Sequence, residues 1–410
     1  MSVIAGHSVV QYFPLPFNGV EVENWANAQK EALAGPVTFA QLFTTPDCSA
    51  HAKEIMEIVQ IYAHAPTVIG CSASGLIASD QEVENEAGFC IALYHLPDTN
   101  VRAVHLPIET FVATDRAEQF KVTLNDSTNT INAWMLFASS ESIGNESWLP
   151  DWDHATRHRT TIGGFACTAT NESASSLYLN GKILTDGAVA LGLEGAVTIE
   201  PLLSQGCRPV GSAWTITQAK HNIIHEIGNR PILEVLRDTL EGMSQQDQQK
   251  AQGNIFIGLV LDEYQANFSI GDFLVRNLAA IDPQTGAVAI ATPLRVGQNL
   301  QFQIRDAHSA SHDLEQHLKA KASELAQRTI YGSCLCDCIG RGTSLYGVPD
   351  HDVAIIHDTF SELPIVGLFC NGEFATSQNR TLLHGYAASL GLFVKKRFRA
   401  DVAPSALESR

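Results

Sequence analysis

The chain of 410 residues has no apolar run approaching the roughly 20 residues that a membrane-spanning helix needs. Its first 20 residues also lack the basic start and apolar block of a signal peptide. Positive charge is scarce, with 26 Lys and Arg against 44 Asp and Glu, and the net charge is -18. This balance disfavours binding to nucleic-acid phosphates or to an anionic membrane surface. We therefore expect a cytoplasmic protein with neither nucleic-acid nor membrane partners.

Disulfide and cofactor signatures are also missing. The nine cysteines are scattered and odd in number, which is typical of free thiols in a reducing compartment. There is no C-x-x-C pair, no P-loop, no G-x-S-x-G elbow and no G-x-G-x-x-G after a predicted strand. His154 and His158 have helical spacing but no H-E-x-x-H pattern, which disfavours zinc. We expect no metal, no cofactor and no classical catalytic residue.

The cysteines leave two alternatives open. Cys334, Cys336 and Cys338 alternate along a predicted strand, so their side chains share one face. That spacing suits buried small hydrophobic residues better than a compact tetrahedral metal site. A cysteine nucleophile, Cys338 or Cys71 with His384 as its base, is a second alternative, although no signature pairs these residues.

Hydrophobic periodicity predicts an α/β fold with mixed sheets, in which a strand–helix–strand pattern recurs three times. Two of the copies share a G-x4-G-x12-G spacing, and the third glycine of each opens another strand. We infer two related halves built from repeated β-α-β-β units. The predicted strand pairs are 38–44 and 67–70, 130–139 and 160–163, and 331–339 and 364–369. The glycines are Gly70, Gly75 and Gly88 in one copy, Gly367, Gly372 and Gly385 in another, and Gly163 and Gly187 in the altered middle copy.

The remaining segments suggest two domains and a tail. We expect an irregular start through Pro16, a polar loop over 244–252, and antiparallel strands over 273–281, 287–292 and 300–305. Pro231 opens a helix after a predicted boundary. The predicted domains are therefore 20–229 and 230–394, and residues 395–410 are a flexible tail.

Glycine-marked segments at predicted strand ends are the candidate binding elements, because glycine allows a ligand to approach the backbone closely. Arg208 and Arg341 stand among these glycines and suit a carboxylate, whereas Glu373 suits an ammonium group. Internal pairing of both arginines with protein carboxylates is the alternative. The candidate ligand-binding residues are Cys71, Ser72, Gln205, Cys207, Arg208, Cys338, Arg341, Asn371, Glu373 and His384.

These segments resemble the FIST domains. VIGCS at 68–72 and QGCRPVG at 205–211 are similar to the N-terminal FIST pattern. CIGRG at 338–342, NGE at 371–373 and LHGY at 383–386 are similar to the C-terminal pattern, in the same order. The resemblance spans about 36–393, but FAT at 374–376 and Ala387 depart from the family pattern.

The resemblance implies a sensory protein that binds a small ligand, such as an amino acid or a related small carboxylate. It also implies an output through a separate signalling partner, because about 35 residues precede the first FIST strand. Two rivals remain. A cysteine-dependent enzyme, or a thiol that captures an electrophile, predicts a hyper-reactive cysteine. An interaction scaffold predicts internally paired arginines and a large exposed apolar patch.

Overall fold

The computed structural model describes residues 2–3, 5–126, 129–168, 174–265 and 267–397. The predicted tail therefore lies outside the described residues from 398 onward, and Lys395 still belongs to a strand. In these described ranges no helix is both long and apolar enough to cross a membrane.

The first unit spans residues 8–94 and follows a short strand, β1 (Ser2–Val3). The segment before Pro16 is not irregular as expected, since Ser8–Pro14 pairs along its whole length with the last strand of the unit. Val9, Val10 and Tyr12 suit such an edge strand, and Pro14 stands at its end. The elements are β2 (Ser8–Pro14), α1 (Gly19–Ala32), β3 (Phe39–Thr44), α2 (Ala52–Tyr62), β4 (Val68–Ser72), β5 (Gly75–Ala78), β6 (Gln81–Val83) and β7 (Gly88–Tyr94), with a 3-10 turn at Pro46–His51.

The second unit, residues 99–195, repeats this plan with additional short helices. Its first two central strands are parallel, as in the first unit, and its last strand returns antiparallel to them. The elements are β8 (Thr99–Leu106), α3 (Ile108–Val112), α4 (Arg116–Leu124), β9 (Ile131–Ser139), α5 (Ser140–Ile143), α6 (Leu149–Thr156), β10 (Thr160–Ala166), β11 (Leu177–Leu179), β12 (Lys182–Leu184) and β13 (Ala188–Gly195), with a 3-10 turn at Glu146–Trp148.

A six-stranded barrel, residues 207–305, follows the strand β14 (Val197–Gln205). One long strand closes the barrel by pairing at both of its ends, and it bends at the bulge between Val210 and Trp214. Gly211 lies in that bulge with φ +67°, a conformation that favours glycine. The elements are β15 (Cys207–Lys220), β16 (Ile223–Ile227), β17 (Arg230–Pro231), α7 (Ile232–Glu241), α8 (Gln245–Ala251), β18 (Ile255–Val260), β19 (Phe273–Asp282), β20 (Ala287–Ile290) and β21 (Asn299–Arg305).

The helix α8 corrects the expected polar loop over 244–252. Ser244 caps this helix by accepting a hydrogen bond from the backbone N–H of Asp247. Ala251 is its one buried residue, so the segment has too little apolar periodicity to reveal a helix.

The third unit consists of β14 and residues 307–395, so the barrel is inserted after its first strand. The predicted mixed α/β fold with repeated β-α-β-β units in two related halves is confirmed, with the first two units in the first half and most of the third in the second. The remaining elements are α9 (Ala307–Glu324), β22 (Thr329–Cys338), α10 (Gly342–Tyr346), α11 (His351–Thr359), β23 (Ile365–Cys370), β24 (Glu373–Ser377), β25 (Arg380–His384) and β26 (Ala387–Lys395).

Each unit donates its hairpin to the sheet of another unit. The hairpin β5–β6 pairs with β23, β11–β12 pairs with β4, and β24–β25 pairs with β10. Strands from both predicted domains therefore share sheets. The division into domains 20–229 and 230–394 stays a prediction. The three sheets have one strand order, namely β12-β11-β4-β3-β7-β2, β25-β24-β10-β9-β13-β8 and β6-β5-β23-β22-β26-β14.

The inner faces of the three sheets share one central core, to which Phe43, Phe137 and Leu368 contribute from different units. The outer face of each sheet packs against its own helices in a separate cluster. Burial on both faces explains why central strands such as β9 and β23 read as nearly continuous apolar runs.

The first glycine of the repeated pattern approaches the backbone of the neighbouring parallel strand in every unit. A Cβ atom on Gly70 would lie 1.7 Å from the carbonyl oxygen of Leu42, and Gly163 and Gly367 meet Leu136 and Leu335 in the same way. These glycines therefore allow the two parallel strands of each unit to approach each other.

Replacing Gly70 with alanine is expected to lower the free energy of unfolding by about 3 kcal/mol, because backbone must move to admit the Cβ atom. Urea unfolding followed by circular dichroism measures the change. Gly242→Ala is the matched control, since its Cβ would lie 3.4 Å from the nearest atom at a helix end with φ -78°. Equal losses in the two variants would contradict the packing argument.

Candidate ligand-binding site

A cavity of about 680 Å³ lies between the barrel and the third unit, with one side formed by the second unit. It opens at the carboxyl ends of the parallel strands β22 and β23, the sheet edge at which α/β proteins commonly bind ligands. The residues that line it are Gly144, Asn145, Glu146, Val275, Arg276, Asn277, Ala291, Arg305, Cys338, Ile339, Gly340, Asn371, Gly372, Leu383, His384, Gly385 and Tyr386.

Three of the glycine-marked segments meet in this cavity. The 338–342 segment follows β22, the 371–373 segment follows β23, and the 383–386 segment joins β25 to β26. Of the ten predicted residues, Cys338, Asn371 and His384 line the cavity. The fold therefore brings together segments that are distant in sequence at one place on the surface of the third unit.

Cys338 is the thiol of the cavity. Its Sγ accepts hydrogen bonds from the backbone N–H groups of Tyr386 at 3.2 Å and Gly340 at 3.5 Å. Burial and the neighbouring Glu373 nevertheless raise the pKa of Cys338 well above the usual range of a thiol. The sulfur is consequently a protonated, weakly polar wall of the cavity at neutral pH.

His384 contributes an unsatisfied polar atom. Its side chain is 2% exposed, and its Nε2 has no hydrogen-bond partner among the described residues. Burial, with repulsion from Arg276, lowers the pKa of His384 to about 3, so the ring is neutral. A buried imidazole nitrogen without a partner is costly, so this atom lacks a hydrogen bond that the described residues do not supply.

Glu373 lies behind the wall of the cavity. Its oxygens accept hydrogen bonds from the backbone N–H of Gly372 at 3.2 Å and of Ala387 at 3.4 Å. Burial raises the pKa of Glu373 to about 8, so the side chain is largely an uncharged acid at neutral pH. This arrangement does not support the expected role of Glu373 as an ammonium receptor, because it neither faces the cavity nor carries a full charge there.

Arg341 is an internal residue. Its fully buried guanidinium pairs with Asp352 at 2.6 Å and Asp337 at 3.1 Å, and donates to the hydroxyl of Tyr346. Glu82, from the hairpin β5–β6, accepts the backbone N–H groups of the adjoining helix α11. This geometry favours the alternative of internal pairing for Arg341, and its role as an anion anchor stays a prediction.

Arg208 is also paired internally, and its side chain lines a different cavity. This cavity of about 560 Å³ lies outside the barrel, and Arg208 pairs there with Asp247 and Asp306. Lys250 shares Asp306. Although burial opposes ionisation, hydrogen bonds from Lys250 and Ser309 lower the pKa of Asp306 to about 2.

The other predicted residues support the structure without lining the cavity. Cys71 is buried in the central core, and the hydroxyl of Ser72 donates to the carbonyl of Cys167 at 2.6 Å. Gln205 and Cys207 form the crossing from β14 into the barrel. The side chain of Gln205 donates to the Phe273 carbonyl at 2.7 Å, and Cys207 packs in a small cluster whose other members are Phe256, Val275 and Tyr386.

Two arginines of the barrel were missed by the sequence analysis. Arg276 pairs with Glu146 at 2.5 Å and donates to the hydroxyl of Thr292 at 2.5 Å. Arg305 donates to the carbonyl of Gly340 at 3.0 Å, and no carboxylate among the described residues lies within ion-pair distance of its guanidinium. Their position within predicted apolar strands is the sequence signal that points to them.

Replacing Arg341 with methionine is expected to lower the free energy of unfolding by about 3 kcal/mol, because Asp337 and Asp352 would lose their buried cation. Without that cation the folded-state pKa of Asp352 would rise above its unfolded value, so the penalty should shrink as the pH falls toward about 4. Arg230→Met, which breaks the exposed pair with Asp238, is the control and should change little. A penalty independent of pH would contradict the pairing argument.

Comparisons with known proteins agree with this architecture. A model of the FIST N domain matches residues 38–230, and a model of the FIST C domain matches residues 233–376. The uncharacterized protein MT0656 of Mycobacterium tuberculosis is 32% identical over 374 residues, which cover 90% of this chain and 94% of that protein. The uncharacterized protein Mb0898c of Mycobacterium bovis is 31% identical over 382 residues, with the same coverage. The chain thus belongs to the FIST family, whose domains are generally sensory domains that bind small ligands.

Proposed function

We propose that the chain senses a small carboxylate, either an amino acid or a related acid, in the cavity between the barrel and the third unit. The observation that carries the proposal is Arg305, a guanidinium that faces the cavity without a carboxylate partner in the described ranges. A guanidinium fork suits a bidentate carboxylate. Asn371 and the backbone of the glycine segments supply polar groups that can orient the ligand.

The cavity has the composition of a ligand site. Val275, Ile339 and Leu383 provide apolar surface beside the polar groups, and a volume of about 680 Å³ lies in the usual range for small-molecule pockets. Internal pairing of Arg208 and Arg341 is also what a scaffold without a ligand predicts. His384 and Arg305 favour the ligand, because among the described residues the buried Nε2 has no hydrogen-bond partner and the guanidinium has no carboxylate partner, and a scaffold gains nothing from either.

The position of the cavity indicates how ligand binding would change the protein and produce a signal. A ligand there contacts the barrel and the three-unit body together, and it therefore favours the arrangement in which the two are held close. We propose that a cytoplasmic signalling partner, supplied by a separate chain, binds that arrangement.

Thermal unfolding against a panel of amino acids and small carboxylates tests the proposal. A ligand at about 100 times its dissociation constant should stabilise the native state by roughly 2.7 kcal/mol. Arg305→Gln is expected to weaken carboxylate binding by about tenfold or more, because a charge-assisted hydrogen bond is lost. Arg295→Gln, an exposed change of the same type outside the cavity lining, is the control. Equal affinities for the two variants would remove Arg305 from the site.

A thiol-based activity is the second candidate, because Cys338 lies in the cavity and its sulfur accepts two amide hydrogen bonds. Its raised pKa opposes this candidate, since the thiolate is the nucleophile. We expect iodoacetamide to modify Cys338 at pH 7 more slowly than it modifies the same thiol in urea-unfolded protein. Peptide mass spectrometry measures both rates, and faster labelling of the folded protein would favour the thiol activity.

A further inference from the structure

We infer, on the basis of the carboxylate site proposed above, that the cavity selects carboxylates bearing an uncharged hydroxyl or oxo group over the corresponding amino acids. Its lining combines a net positive charge, which opposes an ammonium group, with a buried neutral hydrogen-bonding atom that has no partner among the described residues.

The lining of the cavity carries a net positive charge. Among the described residues the lining has two cations, Arg276 and Arg305, and one carboxylate, Glu146, so its net charge is +1. Such a lining matches a monoanion better than a zwitterion, whose charges cancel. The same repulsion by Arg276 that opposes protonation of His384 acts on an ammonium group placed nearby.

The carboxylates at and behind the lining already accept hydrogen bonds from protein groups. Both oxygens of Glu146 are occupied, one by Arg276 at 2.5 Å and the other by the hydroxyl of Thr292 at 2.9 Å. Glu373 is fully buried, and its oxygens accept backbone N–H groups. The carboxylates at the described lining therefore already serve other donors, and an ammonium group would have to share them, so it would be incompletely compensated for its lost hydration.

The Nε2 of His384 has no hydrogen-bond partner in the described part of the chain. A neutral imidazole nitrogen either donates or accepts one hydrogen bond, according to its tautomer. A hydroxyl can serve as either partner, and an oxo group accepts from the N–H form. Arg305 would bind the carboxylate, and the Nε2 of His384 would form a hydrogen bond with the uncharged hydroxyl or oxo group next to it.

Isothermal titration calorimetry with four acids of one skeleton tests this selection. The acids are phenyllactate, phenylpyruvate, phenylalanine and 3-phenylpropanoate, which differ only at the carbon next to the carboxylate. We expect phenyllactate or phenylpyruvate to bind about tenfold more tightly than phenylalanine, and several-fold more tightly than 3-phenylpropanoate. Phenylalanine binding as tightly as phenyllactate and phenylpyruvate would overturn the inference.

Variants separate this inference from the proposed function. His384→Leu should bring phenyllactate and phenylpyruvate to within about twofold of 3-phenylpropanoate, whereas the conservative His384→Gln should keep part of the difference. Arg305→Gln should weaken all the carboxylates together. If phenylalanine matches the other acids and binding still depends on Arg305, only the selectivity is wrong. If the wild-type protein binds neither these four acids nor any acid of the thermal-unfolding panel at millimolar concentrations, the proposed function fails and the inference fails with it.

Discussion

Each of the three α/β sheets is completed by a hairpin from another unit, and this exchange constrains everything else in the fold. The hairpin β24–β25 leaves the third unit and pairs with β10 of the second, so the segment around Glu146 lies beside the glycine segments of the third unit. The exchange also joins the apolar inner faces into one core. No unit contains a whole sheet of its own, so folding and site formation are coupled across the chain.

The barrel adds what the repeated units lack. It is inserted between β14 and α9, so its strands β19 and β21 stand over the carboxyl ends of β22 and β23. Arg276 and Arg305 come from these two barrel strands and supply both cations of the cavity. The site therefore depends on one particular insertion into one of three related units, since the barrel provides the charge and the third unit provides the glycine loops.

Local patterns were sufficient to predict the repeated units, because each unit carries its own strand–helix–strand periodicity and its own close-approach glycine. The hairpin exchange was not predictable, since a hairpin of the same sequence pairs equally well within its unit or outside it. For the site, the glycine segments indicated Cys338, Asn371 and His384, which line the cavity, and their binding of a ligand stays a prediction. The same segments indicated Arg341 and Cys71, which are buried outside the cavity lining, because neighbouring glycines mark a close approach of backbone whether a ligand or the protein core makes it.

Arg341 of the third unit and Arg305 of the barrel are connected through one loop. Arg341 is held by Asp337 and Asp352, and it anchors the glycine loop that follows β22. The Gly340 carbonyl of that loop accepts a hydrogen bond from Arg305, the cation that faces the cavity. A buried ion pair contributes little net stability, because desolvation offsets the attraction, but it holds one geometry well. Arg341, which belongs to the sequence motif, thus fixes the loop, and the loop orients Arg305, the residue that we propose binds the ligand.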